Sequence, residues 1–222
     1  MFCPAPRYTE QALPLLASFA PPGDGAEDGA FRVIHCGRVD LRKGCHYLIE
    51  AFHGLRLPRA ELWLVGPVAP EMEAFRRRYE SPSIVFHGPR PQAELARWYG
   101  RCAVFCLASL EEGMAMVIPQ AMACGLPVIA TPNSGAEEIV REGVEGHLVP
   151  VRDVEALRRR ILELYEDPER RRAMGRAALA RVRAGFTWDE YGDRVVAAYR
   201  ELLARRGSAA ARAVGAAATA TP

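Results

Sequence analysis

The chain has 222 residues, half of them hydrophobic, enough for one domain with its own core plus extensions. Its 29 basic and 27 acidic residues leave a formal net charge of +2, which offers no basic field for nucleic acid. The six cysteines form no Cys-x-x-Cys pair or zinc-spaced Cys/His set, and no apolar run reaches the ~18 residues of a transmembrane segment.

Residues 1–30 are proline- and glycine-rich and read as a linker, with no signal-peptide hydrophobic region in MFCPAPRYTE. From residue 31 strands and helices alternate. FRVIHCG is a strand; LRKGCHYLIEAFHGL carries helical spacing at Cys45, Leu48, Ile49, Phe52 and Leu55. ELWLVG, SIVFHG, CAVFCLAS, LPVIAT and HLVPV are the later strands. PEMEAFRRRYE, PQAELARWYGR, MVIPQAMACG and SGAEEIVREG are the helices between them. This alternation, with strands nearly all apolar as when both faces are covered, predicts an α/β fold: a doubly wound parallel sheet, Rossmann-like. Asp153 opens a helix with Val154, Leu157, Ile161 and Leu164 on one stripe, Asp167-Pro168 marks another start, and helices continue with no further strand. Ser134/Glu137 and Thr187/Glu190 have capping-box spacing. The alanine-rich stretch 207–222 reads as a disordered tail. Cys36, Cys102, Cys106 and Cys124 lie in apolar runs as small buried hydrophobes, which suits a reducing cytoplasm. The arginine runs at 76–78, 158–160 and 170–172 stand beside acids and read as solvated helix faces.

Ligands of such sheets bind where strands hand over to helices at their carboxyl ends. Two of these turns carry chemistry. In CGRVDLRKG, Gly37 lets the backbone approach a ligand, and Arg38 and Lys43 flank a helix start, a combination suited to a diphosphate. The alternative is an ordinary basic surface turn; the order of a P-loop is absent. In SLEEGMAMVIPQAMACG, Glu112 precedes a helix that starts near Met116, tolerates Pro119 in its first turn, ends at Gly125 and carries Gln120 about a turn inside. Glu112 could accept hydroxyl hydrogen bonds while the N–H groups of Gly113, Met114, Ala115, Met116 and Val117 hold phosphate or sugar. The alternative is an acidic loop capping a helix, with a methionine stripe as core. The histidines, His35 and His87 at strand ends included, read as structural, and no metal set assembles.

The stretches CGRVDLRKGCHYLIEAF, VFHGPRPQAELARWYGRCAVFCLAS, LEEGMAMVIPQAMACGLPVIATPNSGAEEIVREGVEGHLVPVRDVEAL and FTWDEY resemble the retaining GT-B glycosyltransferases that use nucleotide-activated sugars, the family-4-like, group 1 enzymes. The resemblance covers roughly residues 31–205 and rests above all on QAMACGLPVIAT. It implies the C-terminal half of a GT-B fold, with a nucleotide-sugar-binding domain at 31–185 and a C-terminal crossover helix at 186–206. It also implies an N-terminal acceptor-binding domain that is missing or separate. By position, Arg38 and Lys43 would neutralise the donor diphosphate and Glu112 would hold hydroxyls of its sugar. Gln120 would hold the ribose, Gly113 to Val117 would supply backbone donors, and Pro89 and Arg90 would lie near the nucleobase. A nucleotide-sugar donor is the implied substrate, no metal or other cofactor is implied, and the setting is cytoplasmic or at the inner face of the membrane. Two positions depart from the pattern: Gln120 stands where the family has a second Glu, and Ala115 where its loop has Gly. The competing reading is a non-catalytic nucleotide-sugar-binding or scaffold module partnering a separate transferase subunit. An unrelated nucleotide-sugar epimerase or dehydrogenase lacks support, because no GxGxxG follows the first strand and no Tyr-x-x-x-Lys is present.

Overall fold

A computed structural model describes residues 28–185 and 188–218. The reading of 1–27 as linker, Cys3, the Thr187 cap and residues 219–222 lie outside the described residues. One unit of the chain ends at Arg183 and a second begins at Ala184.

The first unit is a six-stranded sheet: β1 (Phe31–Cys36), β2 (Ala60–Val65), β3 (Ile84–Gly88), β4 (Val104–Leu107), β5 (Val128–Ala130) and β6 (Gly146–Leu148). Its spatial order is β3-β2-β1-β4-β5-β6 and every neighbouring pair is parallel. This is the doubly wound arrangement expected from the alternation. The chain moves outward from β1 to β3, then returns past β1 to lay β4 on its other side. The reversal leaves a crevice between the carboxyl ends of β1 and β4. All six residues of β1 are buried, as are all four of β4, because both faces of the central strands are covered.

The helices follow the predicted stripes. In α1 (Cys45–Leu55), Cys45, Leu48, Ile49 and Phe52 are buried, and they join Val33, Leu62, Leu64 and Ile84 in the main core. After α2 (Glu73–Tyr79), α3 (Leu95–Tyr99) and α4 (Val117–Ala123) comes α5 (Val154–Glu166), which packs along α1 with Leu157, Ile161 and Leu164. The core thereby ties the first and last thirds of this unit together. α6 (Pro168–Arg183) packs on α4 from the opposite layer. The carboxylates predicted as caps do that work: Asp153 Oδ1 accepts the Ala156 N–H at 2.8 Å and Asp167 Oδ1 accepts the Arg170 N–H at 2.9 Å. Cys36, Cys45, Cys102, Cys106 and Cys124 are buried free thiols. The basic runs pair with neighbouring acids, as Arg76 does with Glu73 and Glu80, and Arg172 with Glu169.

Two expectations are corrected. SGAEEIVREG is no α-helix: residues 132–138 form two 3-10 turns, Pro132–Ser134 and Ala136–Glu138, with Gly135 left-handed between them at φ 73°. Ser134 caps nothing, since its hydroxyl donates to Thr131 O at 2.6 Å. The carbonyls that would begin a helix here face another loop instead. Asn133 O accepts Glu112 N–H at 2.7 Å and Ser134 O accepts Ala115 N–H at 3.1 Å. The second correction is the alanine-rich stretch. In the second unit, α7 runs from Trp188 to Ala218, so residues 207–218 are helical rather than disordered, in keeping with alanine's helix propensity. No helix among the described residues is long and apolar enough to cross a membrane.

Candidate functional site

The crevice is built by two loops that close on each other. The first leaves β1 at Gly37 and runs to Gly44. Its start is fixed to the loop after β2 by Gly37 N–H to Val65 O and Val39 N–H to Pro67 O, both 2.9 Å. Asp40 Oδ1 accepts the Lys43 N–H at 2.7 Å and turns the chain into α1. Gly44, the helix cap, is left-handed at φ 64°, and a Cβ on it would lie 1.9 Å from Ala108 O. The first loop therefore touches the end of β4. The second loop, 108–116, is fixed by Thr131 Oγ1 to Ser109 O at 2.6 Å and Asn133 Nδ2 to Leu110 O at 3.0 Å.

Where the loops meet, Lys43 Nζ forms an ion pair with Glu112 Oε2. Arg42 Nη1 donates to Glu112 Oε1 at 2.9 Å and to Glu111 O at 3.0 Å, while Arg42 O accepts Leu110 N–H at 2.8 Å. The Lys43 and Glu112 side chains are only 15% and 13% exposed, against 55% for Arg42 and 60% for Arg38. Burial alone would raise the Glu112 carboxyl. The bonds from Lys43 and Arg42 outweigh it and hold the carboxyl below its ordinary range. The result is an ionised acceptor beside two cations at the switch point of the sheet. Arg38 guards the outer rim, its Nε 3.6 Å from Asp40 Oδ2.

His35 lies beneath this floor, fully buried at the end of β1, with Nε2 3.4 Å from Cys45 Sγ. Burial first, then the charge of Lys43, push its pKa down to about 4. The folded protein thus keeps His35 neutral, whereas the unfolded chain takes up a proton below pH ~6.5. Stability is full above that pH and is lost as pH falls toward 4, by a few kcal/mol at most, roughly 3. Urea unfolding at pH 7.0 and 4.5 is expected to show this loss, and His35→Gln to flatten it. An equal pH slope in the variant would reject the assignment.

Of the predicted backbone donors, Ala115 is already taken by Ser134 O. The N–H groups of Gly113, Met114, Met116 and Val117 meet no acceptor among the described residues. Ala115 is buried and is not among the residues with positive φ, so its methyl introduces no backbone strain where the family loop has glycine. Met114 and Met116 are exposed, so only Met122 of this run is core. Gln120 is half-buried on α4 with no side-chain partner among the described residues. Pro89 and Arg90 follow β3, two strands away from β1, and the Arg90 guanidinium lies 4.9 Å from the Trp98 ring centroid. The structure thus joins Lys43 to Glu112 directly, sets Arg38 and Gly37 on the same loop, and leaves Pro89 and Arg90 apart from that cluster. Sequence reasoning missed Arg42; the Arg-Lys pair facing a Glu-Glu pair was a charge match, but spacing alone could not show that the two loops meet. Among the described residues no group of three or more His, Cys, Asp or Glu is placed to hold a metal ion.

Comparison with known proteins gives a consistent result. Residues 30–167 match the model of the family described as Glycosyl transferases group 1. The chain is 36% identical over 190 residues to the D-inositol 3-phosphate glycosyltransferase of Kribbella flavida, covering 79% of this chain and 45% of that one. It is similar to sucrose-phosphate synthase from Thermosynechococcus elongatus, with a TM-score of 0.74, 30% identity, and 86% and 51% of the two chains covered. It is also similar to Anabaena HepE in complex with UDP, with a TM-score of 0.66, 26% identity, and 78% and 49% covered. The chain spans about half the length of the curated relatives it matches.

Proposed function

This chain belongs to the glycosyl transferases group 1 family, and on that premise we propose that it is the donor-binding half of an enzyme that moves a sugar from a nucleotide to an acceptor with retention. The observation that carries the reading is the convergence of Lys43, Arg42 and Glu112 at the carboxyl ends of β1 and β4. HepE, a structural relative, was crystallised with UDP, which supports a nucleoside diphosphate at the corresponding crevice.

In this reading the donor diphosphate approaches Arg38 and Lys43, and the open N–H groups of Gly113, Met114, Met116 and Val117 supply further donors. The cations stabilise the charge that develops on the phosphate as the anomeric C–O bond breaks. Glu112 accepts hydrogen bonds from the sugar hydroxyls and orients the ring. Gln120 faces the ribose as a neutral partner, and Pro89 and Arg90 lie toward the base. The acceptor hydroxyl, brought by an N-terminal domain, attacks on the face that the phosphate leaves. Its proton passes to the departing phosphate oxygen, so the configuration is kept. A second reading is favoured by Gln120, where the family has Glu: a module that binds the nucleotide sugar and supports a separate transferase.

Calorimetric titration with UDP, GDP, ADP and their sugars tests the proposal, with Arg38→Ala/Lys43→Ala as control. One-site binding that weakens strongly in the double variant is expected. No heat from the folded chain would reject the donor-site reading. Adding an N-terminal domain in trans separates enzyme from module, since turnover belongs to the first alone.

A further inference from the structure

Arg42 joins the two site loops by three separate contacts. Its carbonyl accepts Leu110 N–H, and its Nη1 reaches both Glu111 O and Glu112 Oε1. Lys43 holds the other oxygen of the same carboxylate. The two cations differ in what they can do. Lys43 is a compact ammonium in a nearly closed position, and in the donor-site reading its charge is shared with the diphosphate. Arg42 presents a planar guanidinium from the solvent side, fixed at two acceptors on consecutive residues. A carboxylate held by Lys43 alone could swing as the ammonium moves. A carboxylate held also by Arg42 keeps its plane, with outward lone pairs open to hydroxyl donors.

We infer that Arg42 is a positioning residue: it keeps Glu112 oriented for the donor's sugar while Lys43 turns to the diphosphate. The inference rests on the donor-site reading and extends it to a residue that touches neither phosphate nor sugar. The charged groups facing Glu112 are Arg42 and Lys43, and the carboxylates of Asp40 and Glu111 lie near Arg42. Glu112 is therefore expected to titrate higher when Arg42 loses its charge.

The test compares the whole chain as wild type, Arg42→Gln and Arg42→Lys, each shown to be folded by its melting curve. Carbon NMR follows the Glu112 carboxyl through its acid titration without ligand, and calorimetry compares UDP with UDP-glucose and GDP with GDP-mannose. Arg42→Gln is expected to raise the Glu112 midpoint and Arg42→Lys to restore it. The affinity that the sugar adds over the bare nucleotide is expected to fall about two- to fivefold in Arg42→Gln, as for a partly exposed ion pair. An unchanged Glu112 midpoint in Arg42→Gln overturns the inference, and so does an equal loss for nucleotide and nucleotide sugar. If the wild type binds none of these ligands, the donor-site reading fails, and the ligand-free titration still decides whether Arg42 holds Glu112.

Discussion

Lys43→Ala is expected to weaken the binding of nucleoside diphosphates by about 10- to 150-fold, the effect of losing a charge-assisted hydrogen bond worth about 1.5–3 kcal/mol. The side chain is nearly closed from solvent, so water and salt screen it little. Glu112→Gln is expected to act in the opposite direction on the same ligand. In the free protein the Glu112 carboxylate is the counter-ion of Lys43, and a diphosphate has to share that ammonium. Removing the negative charge is expected to tighten bare nucleoside diphosphate by about two- to tenfold, while the further affinity contributed by the sugar declines. Calorimetry on the two variants with UDP, GDP and their sugars reads both signs. A loss of diphosphate affinity in Glu112→Gln similar to that in Lys43→Ala would show a cluster that merely holds the loops together.

Gly44→Ala is expected to destabilise the first unit by roughly 4 kcal/mol or more, placing it among the severe single substitutions. A side chain at φ 64° is strained in itself, and the new Cβ would stand 1.9 Å from the Ala108 carbonyl oxygen. That oxygen belongs to backbone at the end of β4 and cannot rotate aside as a side chain would. Relief requires the 37–44 loop to move off the second loop, which parts Lys43 and Arg42 from Glu112. Thermal melting is expected to show a drop of roughly 8–16 °C, with nucleotide binding lost alongside. Gly113→Ala is the stability control, since nothing lies within 4 Å of a Cβ built there. Comparable melting temperatures for the two variants would mean that the contact of Gly44 with β4 is not what sets the loops.

The strands were legible because the sheet is covered on both sides, so each appears as a short, mostly apolar run broken only by single polar residues such as Arg32, His35 and Glu61, and their parallel order follows from the helices between them. The helix starts at Asp153 and Asp167 were legible because a cap is a local device, decided within three residues. Residues 132–138 were misread for the complementary reason. Their acidic, capping-like pattern is local, but the carbonyls of Asn133 and Ser134 bond to a loop some twenty residues earlier. The same holds at the site. Lys43 and Glu112 stood out as residue types at strand ends, yet their ion pair spans loops 69 residues apart in the chain. Arg42 offered only a charge match to Glu111 and Glu112, since its contacts exist only once β1 and β4 lie side by side. The alanine-rich stretch failed differently: low complexity suggested disorder, whereas alanine's own preference carries α7 through it.

The central claim is that a nucleotide sugar binds at the ends of β1 and β4, and the most direct measurement is an amide NMR titration of the whole chain with UDP-glucose and with GDP-mannose. The account predicts that at least one of them shifts amides of Gly37 to Gly44 together with those of Glu111 to Val117, while α5 and α6 stay unmoved. Saturable shifts confined to α5 and α6, or to the Arg90–Trp98 surface without the two loops, would contradict it.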